Sequence, residues 1–97
     1  MKIQILNLTF DVEEVECIEH GTNDVGRIDH INQKIYLNKK LCEERKKVVL
    51  LHEIIHSIFQ QMGFVDEHDN EQLIDCLALA LTRLSKDNPK LISFFQS

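Results

Sequence analysis

The run Val48-Val49-Leu50-Leu51-His52-Glu53-Ile54-Ile55-His56-Ser57-Ile58-Phe59-Gln60-Gln61-Met62-Gly63 decides how the chain is read. Val48, Leu51, Ile55, Ile58 and Met62 recur at intervals of three and four, and Leu50, Ile54 and Phe59 widen that stripe until the segment is apolar on most sides. Such a helix is buried. Gly63 stands where a residue in the left-handed conformation closes a helix, because glycine has no Cβ to obstruct it, so the stop falls near Met62. In the middle of this apolar helix lies the string H-E-x-x-H, three polar groups that are costly to bury without partners.

Residues four apart on an α-helix differ by about 40° of rotation, so His52 and His56 project from one face, one turn apart. Their nitrogens can meet a single ion at about 2.0 to 2.1 Å, the usual zinc-to-histidine distance. Glu53 is one residue round from His52. That place is wrong for completing the ligand pair and right for reaching a water beside the ion, the position of a general base. The competing account is two core histidines, each satisfied by backbone or a carboxylate. A catalytic zinc takes a third protein ligand. Phe59 and Met62 occupy the places where a metzincin needs Gly and His, which excludes that arrangement. Downstream, Glu71 and Asp75 stand four apart near the start of a second helix. Glu71 is placed to reach across as third ligand. Asp75, a turn deeper, suits accepting the remaining N–H of a ligand histidine, with His52 the favoured partner. Each has a plainer account: Glu71 as a solvated first-turn acid facing the helix dipole, Asp75 as a surface polar residue. Glu67, His68 and Asp69 lie close by in a short polar turn and are expected to be solvated.

The rest of the chain supplies the setting. Ninety-seven residues fit one domain, 1–97, since a second core would leave neither half enough apolar surface to fold. Hydrophobic residues at 43% and charged residues at 28% suit a packed globule. The net charge of -5 argues against a sequence-independent grip on nucleic acid. The one basic cluster, Arg45-Lys46-Lys47, follows Glu43-Glu44 and reads as the solvated start of the long helix. No signal-peptide pattern or membrane-length apolar run is present, which predicts a cytoplasmic protein without membrane partners. Cys17, Cys42 and Cys76 form no C-x-x-C pair and are expected to be reduced and buried.

Ile3, Ile5 and Leu8 to Phe10 alternate roughly with polar residues, as a strand does, while Asp11 to Glu19 fits a strand or one helical turn. Val25 to Ile28 and Lys34 to Leu37 flank a polar stretch as the arms of a hairpin would. A small sheet of two or three antiparallel strands is the expectation. After an acidic turn, Asp69 with Gln72 three residues on resembles a capping box. A helix from Asn70 to about Lys86 follows, broken by Asn88-Pro89, and a short helix Lys90 to Gln96 ends the chain. The fold class is α+β.

His52-Glu53-x-x-His56 followed by Glu71-x-x-x-Asp75 resembles the gluzincin pattern, in which two histidines and a later glutamate bind zinc and the aspartate supports a histidine. Together with Asp87-Asn88-Pro89-Lys90-Leu91-Ile92, the chain is similar to the small ImmA/IrrE-like metallopeptidases of phages and bacterial mobile elements over roughly Gly26 to Phe94. The resemblance implies a minimal zincin-like fold and a Zn2+ cofactor. It further implies hydrolysis of a peptide or protein substrate, such as a transcriptional regulator, with Glu53 activating a water. It also implies an edge strand, expected at Lys34 to Asn38, that pairs with an extended peptide. Family members often carry a DNA-binding domain, for which these 97 residues leave no room. Nothing matches the additional transition-state histidine and tyrosine of thermolysin-like enzymes; Tyr36, His20 and His30 are the available donors, each with a plainer surface or packing role. Two alternatives remain at this stage: a zinc-stabilised interaction module that does not cut, and a metal-free α+β domain.

Overall fold

Alternating apolar residues make the strands. The computed structural model describes residues 1–16 and 25–97, so Cys17, His20 and the end of the Asp11 to Glu19 segment lie outside the described residues. β1 (Lys2–Ile5) and β2 (Leu8–Val15) form an antiparallel hairpin, and β3 (Gly26–Asp29) and β4 (Lys34–Asn38) form a second. Ile5, Phe10, Val12, Ile35 and Leu37, at every second position of their strands, turn to one face and are buried there. Four helices follow: α1 (Glu43–Gln61), α2 (Val65–His68), α3 (Glu71–Asp87) and α4 (Lys90–Gln96). The class is therefore α+β.

The sheet is larger than expected and not wholly antiparallel. Its order is β1-β2-β4-β3, with β2 parallel to β4. Lys34–Asn38 is thus an interior strand and not an edge. Burial accounts for this: β4 carries the inward pair Ile35 and Leu37, which belongs beside Phe10 and Val12 of β2, whereas every residue of β3 is half-buried. A strand with little to bury goes to the margin.

The width of α1's apolar stripe has a direct cause, because the helix is packed on two sides. Val49, with Leu50, Ile54 and Ile58, joins the sheet cluster. Ile55, with Val48, Leu51 and Phe59, meets Ile74 and Ala78 of α3 in a second cluster. The helix ends as expected, with Met62 as C-cap and Gly63 at φ 80°. Gln61 ties its last turn to the first hairpin, donating from Nε2 to the Ile5 carbonyl at 2.8 Å and to Ser57 Oγ at 2.9 Å.

Three smaller expectations are corrected. The α3 cap is Asn70, whose Oδ1 accepts from the Leu73 amide at 3.0 Å, and not Asp69, which closes the short helix α2. That helix occupies what looked like a polar turn. Cys42 and Cys76 are exposed rather than buried, since α3 buries only Ile74 and Ala78, one turn apart, and Cys76 points elsewhere. Among the described residues no helix is long and apolar enough to cross a membrane.

Gly26 fixes how closely β3 approaches α1. A Cβ there would collide with Cγ1 of Val49 and stand 3.7 Å from Cγ of Glu53. Gly26→Ala is expected to destabilise the chain by about 1–3 kcal/mol through overpacking. Val49→Ala in the same chain should relieve part of that loss, so urea unfolding of the double variant shows less than the summed effect of the single ones. Strict additivity would show that the collision is not the cause.

Candidate metal centre

His52 and His56 leave α1 on the arc covered neither by the sheet nor by the apolar part of α3. Their side chains are 17% and 10% exposed. Both Nε2 atoms turn to one point and lie 3.2 Å apart. Glu71, the first residue of α3, straddles them: its Oε2 is 3.1 Å from His52 Nε2 and its Oε1 2.9 Å from His56 Nε2. Ligands about 2.0 to 2.1 Å from a tetrahedral zinc stand about 3.3 Å from one another. The observed separations are close to that spacing, and among the described residues these three form the group able to hold a metal ion.

The protonation pattern fits the same role. Asp75 Oδ1 lies 2.7 Å from His52 Nδ1, on the side of the ring away from Glu71. A carboxylate there holds the proton on Nδ1, which leaves the Nε2 lone pair for a cation. Burial pushes the His56 pKa below its ordinary 6.5; Glu71 opposes that shift, while His52 and His68 add to it. A neutral imidazole is the form a metal requires. Two imidazoles and a carboxylate, one imidazole oriented by a second carboxylate, make a donor set that fits zinc. All four residues expected at the metal from the sequence are thus brought together.

Glu53 is the fifth. It is 7% exposed, its Oε1 is 3.9 Å from His52 Nε2, and it lines the same cleft, a cavity of about 650 Å³. The cavity is also lined by Val25 and, from strand β3, by Gly26, Arg27 and Ile28 in succession. Side chains of successive strand residues point to opposite faces, so three in a row lining one cavity means that the cavity meets the strand's backbone edge. Among the described residues that edge of β3 is unpaired. The edge strand at this cleft is therefore β3 and not β4.

His68 was expected to be solvated and is instead half-buried against His56. As the last residue of α2 it directs Nδ1 to the His56 carbonyl at 3.0 Å, and its ring centroid lies 4.9 Å from that of His56. His30, in the turn after β3, meets the rings of His68 and Phe10 edge-to-face, with centroids 5.6 Å and 6.4 Å away. His52, His56, His68 and His30 form a continuous row, and His30 has its pKa lowered chiefly by burial. A histidine between two helices that carry ligands was the only sequence signal for His68, and nothing local marked His30. Tyr36 lies away from the cleft, beneath the Arg27 guanidinium, whose carbon is 4.9 Å from the ring centroid.

Comparison with models of known protein families, with curated proteins and with solved structures found no match.

Two measurements bear on the site. Asp75→Ala, at a side chain 69% exposed, is expected to leave the fold intact and weaken zinc binding about 10- to 100-fold, measured by competition with a chromogenic chelator. In the chelator-treated protein, His30 and His56 titrate below the 6.5 of the unfolded chain. Between the folded and unfolded values the unfolded chain binds more protons, so the stability present above 6.5 declines as pH falls through 6.5 and levels off below the folded pKa values. His30→Gln should flatten that decline in urea unfolding between pH 8 and 5; an unchanged slope would remove His30 from the linkage.

Proposed function

We propose that this chain is a small zinc-dependent peptidase in which His52, His56 and Glu71 hold the ion and Glu53 is the general base. The observation that carries the proposal is the convergence of two Nε2 atoms and one carboxylate, with Asp75 fixing the proton of His52 on the far nitrogen. Zinc bound there supplies Lewis acidity, bringing the pKa of water toward about 7 and polarising a carbonyl.

The chain's own residues do the rest. Glu53 lines the cleft beside His52, where its carboxylate would take a proton from the attacking water and pass it to the leaving amine. The edge of β3 that is unpaired among the described residues lines the cleft, where a substrate's backbone amides and carbonyls pair in extended form. His52, Glu53, His56, Glu71 and Asp75 are the five positions that resemble the gluzincin pattern. On that resemblance we place the chain with the small ImmA/IrrE-like metallopeptidases, acting in the cytoplasm on a regulatory protein.

Zinc stoichiometry and cleavage of a mixed pool of quenched-fluorescent peptides test this together. Glu53→Gln should keep one zinc per chain and lose about 10²- to 10⁴-fold in rate, whereas His52→Ala should lose both metal and activity. A Glu53→Gln protein as active as wild type would sink the mechanism. Saturable peptide binding by the zinc-loaded protein without any cleavage would point instead to a non-catalytic interaction module.

A further inference from the structure

Arg45 lies in the first turn of α1, where the positive end of the helix dipole disfavours a cation. Its two basic neighbours are compensated: Lys46 by Glu14 at 2.5 Å and Glu43 at 3.4 Å, and Lys47 by Glu44 at 3.9 Å. Arg45 is exposed and has no hydrogen bond or ion pair among the described residues. It lines the cleft on the same face of α1 as Val48, Val49, His52 and His56. The Asp and Glu residues that line the same cleft are Glu53, Glu71 and Asp75. The Arg27 guanidinium is engaged over Tyr36.

We propose that Arg45 is a carboxylate-binding, specificity-determining residue, and that the peptides this cleft prefers carry a carboxylate about three residues beyond the scissile bond on its C-terminal side. The inference rests on the peptidase proposal and adds the class of substrate. Seven helical residues separate Arg45 from His52, about 10.5 Å along the axis. An extended peptide covers that distance in about three residues. The direction comes from the alignment of β3 with α1. Gly26, at the start of β3, faces Val49 and Glu53, while His30, just past its end, reaches His56 through His68. Strand and helix therefore run the same way along the cleft. A peptide pairing antiparallel to β3, the slightly more stable mode, leaves by the Arg45 end. A guanidinium presents a fork of N–H donors that matches a carboxylate, whether this belongs to an Asp or Glu side chain or to a chain terminus.

The test is kcat/KM for quenched-fluorescent peptides in which a single Asp is moved through every position of an alanine-rich, C-terminally amidated background. A second series has free C-termini at increasing distance from the cut. Zinc-loaded wild type, Arg45→Ala, Arg45→Lys and Lys47→Ala are compared. Asp two to four residues C-terminal to the cut should raise kcat/KM about three- to tenfold in wild type and Lys47→Ala, less in Arg45→Lys, and not at all in Arg45→Ala. A preference confined to the free-terminus series identifies the terminal carboxylate as the source and supports the same site. A flat profile, or one that survives Arg45→Ala, overturns the inference and leaves the peptidase proposal standing. Should wild type cut nothing, fluorescence anisotropy of the same peptides on the zinc-loaded Glu53→Gln protein separates the two. Arg45-dependent binding of the acidic peptides supports the carboxylate site while the hydrolytic reading fails, and Arg45-independent binding sinks both.

Discussion

Everything in this fold answers to one constraint: two imidazoles and a carboxylate sit in the middle of a helix packed on two sides. His56 and Glu53 are as buried as the apolar residues around them. Desolvation of that order has to be offset by partners. For the two histidines the acidic partners come from α3, which brings Glu71 and Asp75 to the rings from its exposed first turns. The apolar contact of Ile55 with Ile74 and Ala78 and the polar contact of the histidines with the two acids are successive turns of the same helix pair. Packing holds the second helix at the distance that the polar groups need.

The opposite flank is organised by the absence of a side chain. Gly26 lets the margin of the sheet lie against Val49 and Glu53, so the polar residues of α1 face a strand edge across a narrow cleft. His30 and His68 close one end of it, and Arg45 stands at the other. The cleft thus has unlike ends along a defined direction.

Much of this was legible because it is local. The three-and-four spacing of α1, its stop at Gly63, the Asn88-Pro89 break and the hairpin around Asp29 to Gln33 follow from period and punctuation. The grouping of the candidate metal residues was legible for the same reason: residues four apart share a helix face wherever the helix goes, and His52, His56, Glu71 and Asp75 come in two such pairs. The strand order was not. Alternation shows which face of a strand is buried and is silent about which strand lies beside it, so the parallel pairing of β2 with β4, and with it the true edge at β3, depended on the burial of Ile35 and Leu37. His68 escaped because a single polar residue in a four-residue helix carries no period. The α3 cap was misplaced by one residue because Asp69 and Asn70 are both good caps, and only the bond from the Leu73 amide distinguishes them.

The two-sided packing of α1 also governs how this helix can change. Between the arc on the sheet and the arc on α3, one sector is left for chemistry, and the residues in it are there by rotational phase alone. Losing or gaining one residue between Val49 and His56 would turn everything beyond it by about 100°. Such a change would swing an imidazole into an apolar cluster and an isoleucine into the cleft. Substitutions along that stretch act one at a time, but an insertion or deletion acts on the whole sector together. The helix can vary its letters far more readily than their number.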